Sequence, residues 1–292
     1  MKPAEKNKRW RSYNRFREAQ EAIWIPRILF ALQQQLRGFT EFAKDQGLMM
    51  AVPQIDVLVK PDPIRRVITN LFRSVFPRYA NISAKQIIDD YGAEMAQQKA
   101  FGTPNAYWLQ LVREYMLTDG ATQVTEVTDT TKEYIRRMVI KGLENGDSID
   151  EILQTILQND INNSRARLIA RTETAGAMNY AAQEAAKRSG LAMTHEWLTA
   201  RDNRVRHLPQ SKFDHIAMEG VKLPLSEPFN VNGELLSRPC DPKGSAGNII
   251  QCRCCEVHEA IRDENGRLIT APVSRIYVQR PAPSNITQVI TI

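Results

Sequence analysis

The chain changes character at Leu191. Upstream of it, apolar residues recur at spacings of three and four. Downstream, between 194 and 260, the sequence is rich in Pro, Gly, Trp, His and Cys and breaks into short strand-like pieces. The first pattern specifies helices with one apolar face, and the second a small, loop-rich sheet. Together they predict an α+β protein: an N-terminal helical region, then a compact domain in which a long helix packs on a small antiparallel sheet.

Within the helical part, residues 18–46 place Ile25, Ile28, Leu29, Leu32, Leu36 and Phe39 on one stripe. Pro26 is expected to kink or restart that helix, since it lacks an N–H. Residues 47–63, with Gly47, Pro53, Pro61 and Pro63, read as a linker. The segment 64–76 repeats the stripe with Ile64, Val67, Ile68, Leu71, Phe72 and Val75, and Pro77 is expected to stop it. Shorter helices are expected at 83–98 and 104–117. The β-branched, polar run 125–131 reads as a connection. A helix at 130–145 ends at Gly146, which suits a left-handed C-cap. Ser148 and Glu151 then form a capping box ahead of Ile152, Leu153, Ile156 and Leu157. An alanine-rich helix runs over 164–188, capped by Asn163 or Ser164 and ended by Gly190.

Strand-like pieces follow at 194–199, 221–223 and 248–257. Asp263-Glu264-Asn265-Gly266 reads as a hairpin turn. The ending 286–292 alternates like a strand without an obvious partner, which suits addition to a sheet edge of a neighbouring subunit. The expected division is a basic aromatic arm at 1–18, a helical docking region at 19–120, a compact domain at 121–262, and a hairpin with an extended tail at 263–292.

Composition narrows the function classes. Of 292 residues, 42% are hydrophobic and 25% charged, which excludes wholesale disorder. No apolar run approaches the roughly 20 residues of a membrane-spanning helix, and no secretory signal is expected. Cys240, Cys252, Cys254 and Cys255 crowd together, unlike a disulfide scaffold, so a reducing compartment is the simpler reading.

The net charge is +6, and most of it sits in residues 1–18. There Lys2, Lys6, Lys8, Arg9, Arg11, Arg15 and Arg17 oppose only Glu5 and Glu18, with Trp10, Tyr13 and Phe16 interleaved. Cations neutralise phosphates and rings stack on bases, so Lys6, Lys8, Arg9, Trp10, Arg11, Arg15 and Arg17 are candidate DNA contacts. A solvated arm, or one docked on an acidic protein surface, is the alternative.

All four histidines (His195, His207, His215 and His258) and all four cysteines fall between 195 and 258. The Cys252-Arg253-Cys254-Cys255 run lacks the gap of a standard zinc module. On a strand, however, Cys252 and Cys254 share a face and could join His215 or Cys240 at one metal. The alternative makes these cysteines small buried side chains, with Arg253 on the opposite face. A second constellation, Arg171, Glu173, Asp202, Arg204, Arg206 and His215, reads as a structural polar network. Its arginines would hold helix to sheet through carboxylates, with Asp202 or Glu173 accepting. A hydrolytic site of Glu173, Asp202 and His215 is the rival. No nucleophile elbow, phosphate loop or His-Glu-x-x-His motif accompanies it.

The ordered series Ala170-Arg171-Thr172-Glu173, Trp197-x-Thr199-Ala200-x-Asp202-x-Arg204-x-Arg206, His215 with Gly220, Phe229, Pro239 and Ile250-x-Cys252-Arg253-Cys254 resembles the phage Mu F-like minor head protein domain. This is also called the phage head morphogenesis domain. The likeness runs over about 130–258. His207 follows Arg206 directly, where the family has its His a few residues on. An insertion at 208–213 would make His215 the family histidine. The resemblance implies a virion protein in few copies that associates with the portal during procapsid assembly, in the host cytoplasm. It also implies a part in DNA packaging or ejection, with portal protein, other head proteins and double-stranded DNA as partners. It implies no catalysis and no cofactor, zinc being the exception to test. The rival functions are a stand-alone DNA-binding protein and a metal-dependent, nuclease-like enzyme.

Overall fold

The computed structural model describes residues 1–95 and 105–272. The chain is α+β, as the two sequence patterns require. Helix α1 (Pro3–Gln46) opens with a proline in its first turn and ends at Gly47, whose φ of 83° stops it. Tyr13, Trp24, Ile28, Leu32, Leu36 and Phe39 form its buried stripe. Pro26 neither restarts nor ends the helix, because packed side chains on both flanks outweigh one missing hydrogen bond.

Residues 3–18 are therefore the opening turns of a long helix that packs on the core through one face, and not a free arm. Tyr13 is 2% exposed, and its hydroxyl donates to the Cys254 carbonyl at 3.3 Å. Three of the basic residues meet acids of this chain. Lys6 Nζ lies 2.5 Å from Glu196 Oε1, Arg9 pairs with Asp90, and Arg17 pairs with Glu21 in a buried contact. The N-terminal amine itself meets Glu259 at 2.7 Å.

The expected linker is coiled into α2 (Leu48–Ala51), a 3-10 turn (Val52–Gln54) and α3 (Ile55–Leu58), with Leu48, Ala51, Ile55 and Val59 buried. Helix α4 (Asp62–Tyr91) runs straight through Pro77, contrary to expectation. Val75, Phe76 and Ala80 around that proline are wholly buried, and Phe76 packs on Tyr180 with ring centroids 5.0 Å apart. Next come α5 (Asn105–Leu117) and α6 (Asp119–Asn145).

The run 125–131 is helical and lies inside α6. Its threonines satisfy themselves on the preceding turn: Thr125, Thr128 and Thr131 donate to the carbonyls four residues back at 3.1, 2.8 and 3.0 Å. Thr128 and Thr131 also bracket the buried Gln35 amide of α1, each at 3.1 Å. Gly146 takes the left-handed C-cap at φ 77°, and the Ser148–Glu151 capping box opens α7 (Ile149–Ile156).

Helix α8 (Asn159–Arg188) starts a turn earlier than its expected cap. Ala166, Ala170, Ala177, Ala181 and Ala185 are fully buried along it, and α1 and α4 pack against it in one shared core. After Gly190 (φ 71°) the chain enters a three-stranded antiparallel sheet. Its order is β2 (Lys222–Pro224), β1 (Met193–Leu198), β5 (Cys255–Ala260). A separate hairpin, β3 (Phe229–Val231) and β4 (Glu234–Leu236), turns at Asn232 and Gly233, both with positive φ. The sequence reading missed that hairpin. The expected strand at 248–257 is instead a helical turn, α9 (Ala246–Ile249), an irregular stretch, and only then β5. The 263–266 turn forms, with the Asp263 amide donating to the Arg267 carbonyl at 2.9 Å. The tail strand at 286–292 lies outside the described residues.

Replacing Tyr13 with Ala should lower unfolding stability by about 3 kcal/mol, as for a buried aromatic. Urea denaturation of that variant checks it; an unchanged midpoint would restore the free arm.

Candidate functional site

The β1–β2 connection carries Asp202, Arg204, Arg206 and His215, and it is folded down onto residues 250–254. Two arginine contacts hold it there. Arg253 donates to both oxygens of Asp202 at 2.5 Å. Arg206 donates to the Ile250 carbonyl. The Arg253 hydrogen bonds, aided by the Arg204 amide, hold the Asp202 carboxyl well below the usual carboxylate range. Arg204 is exposed and meets Asp202 only at 3.4 Å. Inside the loop, the His215 amide donates to the Arg206 carbonyl at 2.9 Å, which turns the imidazole inward.

The six residues expected to form one network do not. Arg171, on α8, reaches across to Glu21 of α1 at 3.3 Å. Among the described residues, Glu173 forms no ion pair with a guanidinium. It is 4% exposed, and its Oε2 is buried without a hydrogen-bond partner. It lines a cavity of ≈ 230 Å³ with Gln123, Glu126, Leu168, Ile169 and Ile249. Burial, reinforced by the Glu126 charge, pushes its pKa up to about 8. Two residues along a helix are about 200° apart in direction, so Arg171 and Glu173 serve different neighbours. Sequence reasoning missed Arg253 as the partner of Asp202. The signal was present: with Cys252 and Cys254 on one face, Arg253 must point to the other, and the Asp202 loop lies there.

On the inner face, His215, Cys252 and Cys254 come together. Both sulfurs lie 3.6 Å from His215 Nδ1. The three ligand atoms are all within 4.8 Å of one another, and all three residues are buried. Among the described residues, this is the group of His, Cys, Asp or Glu close enough to share one ion. Cys240, the fourth residue of the expected set, lies just outside it, with its sulfur 3.7 Å from the Cys252 carbonyl.

The far side of the imidazole is also held. His215 Nε2 donates to Asn248 Oδ1 at 2.7 Å, and Asn248 Nδ2 donates to Glu234 Oε2 at 3.0 Å. Burial pulls the His215 pKa down, but the Cys252 thiol and Asn248 outweigh it, so the net shift is upward. Hydrogen bonds from Cys240 and Cys254 push the Cys252 thiol well down. Cys255 turns to the helical core, where burial pushes its thiol up.

The other histidines have other places. His195 and His258 pair across β1 and β5 and flank the buried Glu256 at 3.1 and 3.3 Å. Burial raises the Glu256 pKa, yet His258 and His195 more than offset it and hold it at about 2. His207 stays in its own loop, 3.0 Å from the Val205 carbonyl. Of the candidate DNA contacts, Lys6, Arg9 and Arg17 are engaged in ion pairs, and Trp10 packs on the core. Lys8, Arg11 and Arg15 are exposed, and their i, i+3, i+7 spacing sets them along one stripe of α1.

These contacts fall mostly within one stretch of chain. The family model described as Phage Mu protein F like protein matches residues 133–257, a little under half of the sequence. That stretch is similar to the phage Mu F-like family, and the similarity supports a phage head morphogenesis protein. No curated protein and no solved structure matches the chain. Among the described residues, no helix is long and apolar enough to cross a membrane.

Glu173 yields a pH prediction. Its folded pKa, about 8, is above the usual carboxylate range near 4.3, so folding favours the protonated acid. The chain should lose stability as pH rises through that window, by up to about 1.4 kcal/mol per pH unit. Glu173→Gln should remove this decline and be the more stable protein above pH 8. Urea midpoints of both proteins across pH 5–9 check this; parallel curves would contradict it.

Proposed function

We propose that this protein is a structural component of a tailed-phage head that joins the portal during procapsid assembly and touches the packaged DNA. The observation that carries the reading is the phage Mu F-like match over residues 133–257. The polar groups of that region support a structural role. Asp202 is clamped by Arg253, Arg206 is tied to a backbone carbonyl, and Glu256 sits between two histidines. Each fixes one segment of chain against another.

DNA contact is assigned to Lys8, Arg11 and Arg15, the candidate contacts that remain exposed. Three such cations on one helical stripe can follow a phosphate backbone without reading sequence.

Co-expression of the full chain with the portal protein tests the first part. Ring particles that retain the chain through affinity purification are the expected result; separate elution overturns it. Replacing Lys8, Arg11 and Arg15 with Ala should leave that complex intact. It should also lower the log–log salt slope of DNA binding by about 3, one for each phosphate no longer neutralised. An unchanged slope removes this stripe from the DNA surface.

A further inference from the structure

We propose that His215 Nδ1 and the thiolates of Cys252 and Cys254 hold one zinc ion, with Cys240 supplying the fourth ligand. Four observations converge on this.

The first is spacing. A tetrahedral zinc with Zn–S near 2.3 Å and Zn–N near 2.0–2.1 Å sets N and S about 3.6 Å apart along an edge. His215 Nδ1 stands 3.6 Å from each sulfur. The ligand atoms of the three residues thus already mark one face of such a tetrahedron.

The second is the state of the imidazole. Glu234 is acceptor-only when ionised, so the Asn248 group 3.0 Å from it is the NH₂, and its oxygen turns to His215. That oxygen requires a proton on His215 Nε2. The lone pair is then on Nδ1, directed at the two sulfurs. A ligand histidine characteristically has its other nitrogen fixed in this way by an outer partner.

The third is an orphaned donor. The Trp197 indole N–H is buried with no well-formed hydrogen bond, its neighbouring acceptor being the Cys254 sulfur. The ring packs edge-on against His215, with centroids 5.5 Å apart, and it adjoins the Cys254 thiol. A zinc-bound thiolate is a far better acceptor than a neutral thiol, and it would satisfy that donor.

The fourth is the need for a staple. The core of this lobe contains Trp197, Phe213, Phe229 and Leu236 together with Cys240, Cys252 and Cys254. Its hairpin strands β3 and β4 are only three residues long. So small a core gains much from a metal that joins the 199–221 loop, the Cys240 turn and the approach to β5. Cys240 and Gln251 both hold positive φ, 59° and 60°. This bends two of those segments toward the cluster.

Thiolate and imidazole ligands select zinc over magnesium or calcium. Binding releases the thiol protons to solvent. The cleft that reaches the cluster, past Val205, Arg206 and Arg253, measures only ≈ 10 Å³. That admits an ion or a water and no organic substrate, so the role is structural.

Metal analysis of the full chain purified without chelator tests the proposal. About one zinc per chain is expected, and a Cys252→Ser/Cys254→Ser variant should contain almost none. Because that variant can misfold, the wild-type chain is also loaded with cobalt(II). A thiolate-to-cobalt charge-transfer band with tetrahedral d–d absorption is the expected spectrum. Asn248→Ala should weaken zinc binding about 10–100-fold while the ligands remain. Wild-type chain that takes up neither metal, or that contains a Cys252–Cys254 disulfide, overturns the site. A cobalt band unchanged by Cys240→Ser overturns the fourth ligand.

Discussion

The close approach of neighbours to the alanine face of α8 is the contact on which the rest of this structure is arranged. Ala170, Ala177, Ala181 and Ala185 present only methyl groups, and none is exposed. Backbones can therefore lie nearer to α8 than larger side chains would permit. Helices α1 and α4 occupy that space on one side, and β5 enters the same core through Cys255 and Val257. Asn179 of α8 and Tyr13 of α1 both donate to the Cys254 carbonyl, at 3.1 and 3.3 Å. The helical core thereby fixes the backbone of the residue whose sulfur faces His215.

The same packing decides the fate of the N-terminal charge. Once α1 lies on α8, its first turns run past the sheet and the end of α4. Lys6 then meets Glu196, Arg9 meets Asp90, and the N-terminal amine meets Glu259. Arg17 and Glu21 are buried together, and Arg171 of α8 adds its guanidinium to Glu21 from the far side. The Lys6–Glu196 and Glu21–Arg171 pairs tie this helix to the family-matched region. Helices α1, α4 and α5, outside the 133–257 match, thus share one core with α8 and are not an appended module.

Much of the fold was legible because its signals are local. The apolar stripe of α1, the Gly146 C-cap, the Ser148–Glu151 box and the Gly266 turn each depend on residues within a few positions of one another. The misreadings came where tertiary packing overrode a local cost. Pro26 and Pro77 stay helical because apolar neighbours are buried on either side. The threonines of 125–131 stay helical because their hydroxyls bind the turn before and bracket Gln35. The β3–β4 hairpin was missed because three-residue strands carry too little alternation, although Asn232-Gly233 marks the turn between them.

The sequence by itself determined the α+β class, the place where helix gives way to sheet, the likeness of residues 133–257 to the phage Mu F-like family, and the cysteines and histidines from which the cluster is drawn. Spacing and residue type suffice for those. Only the tertiary structure decided which polar groups meet. It left Glu173 without an ion pair among the described residues, gave Asp202 to Arg253, brought His215 and not His207 to the cysteines, and paired Lys6, Arg9 and Arg17 with acids of this chain. Such pairings join residues up to 258 positions apart. They are set by how helices and loops stack, which no local pattern encodes.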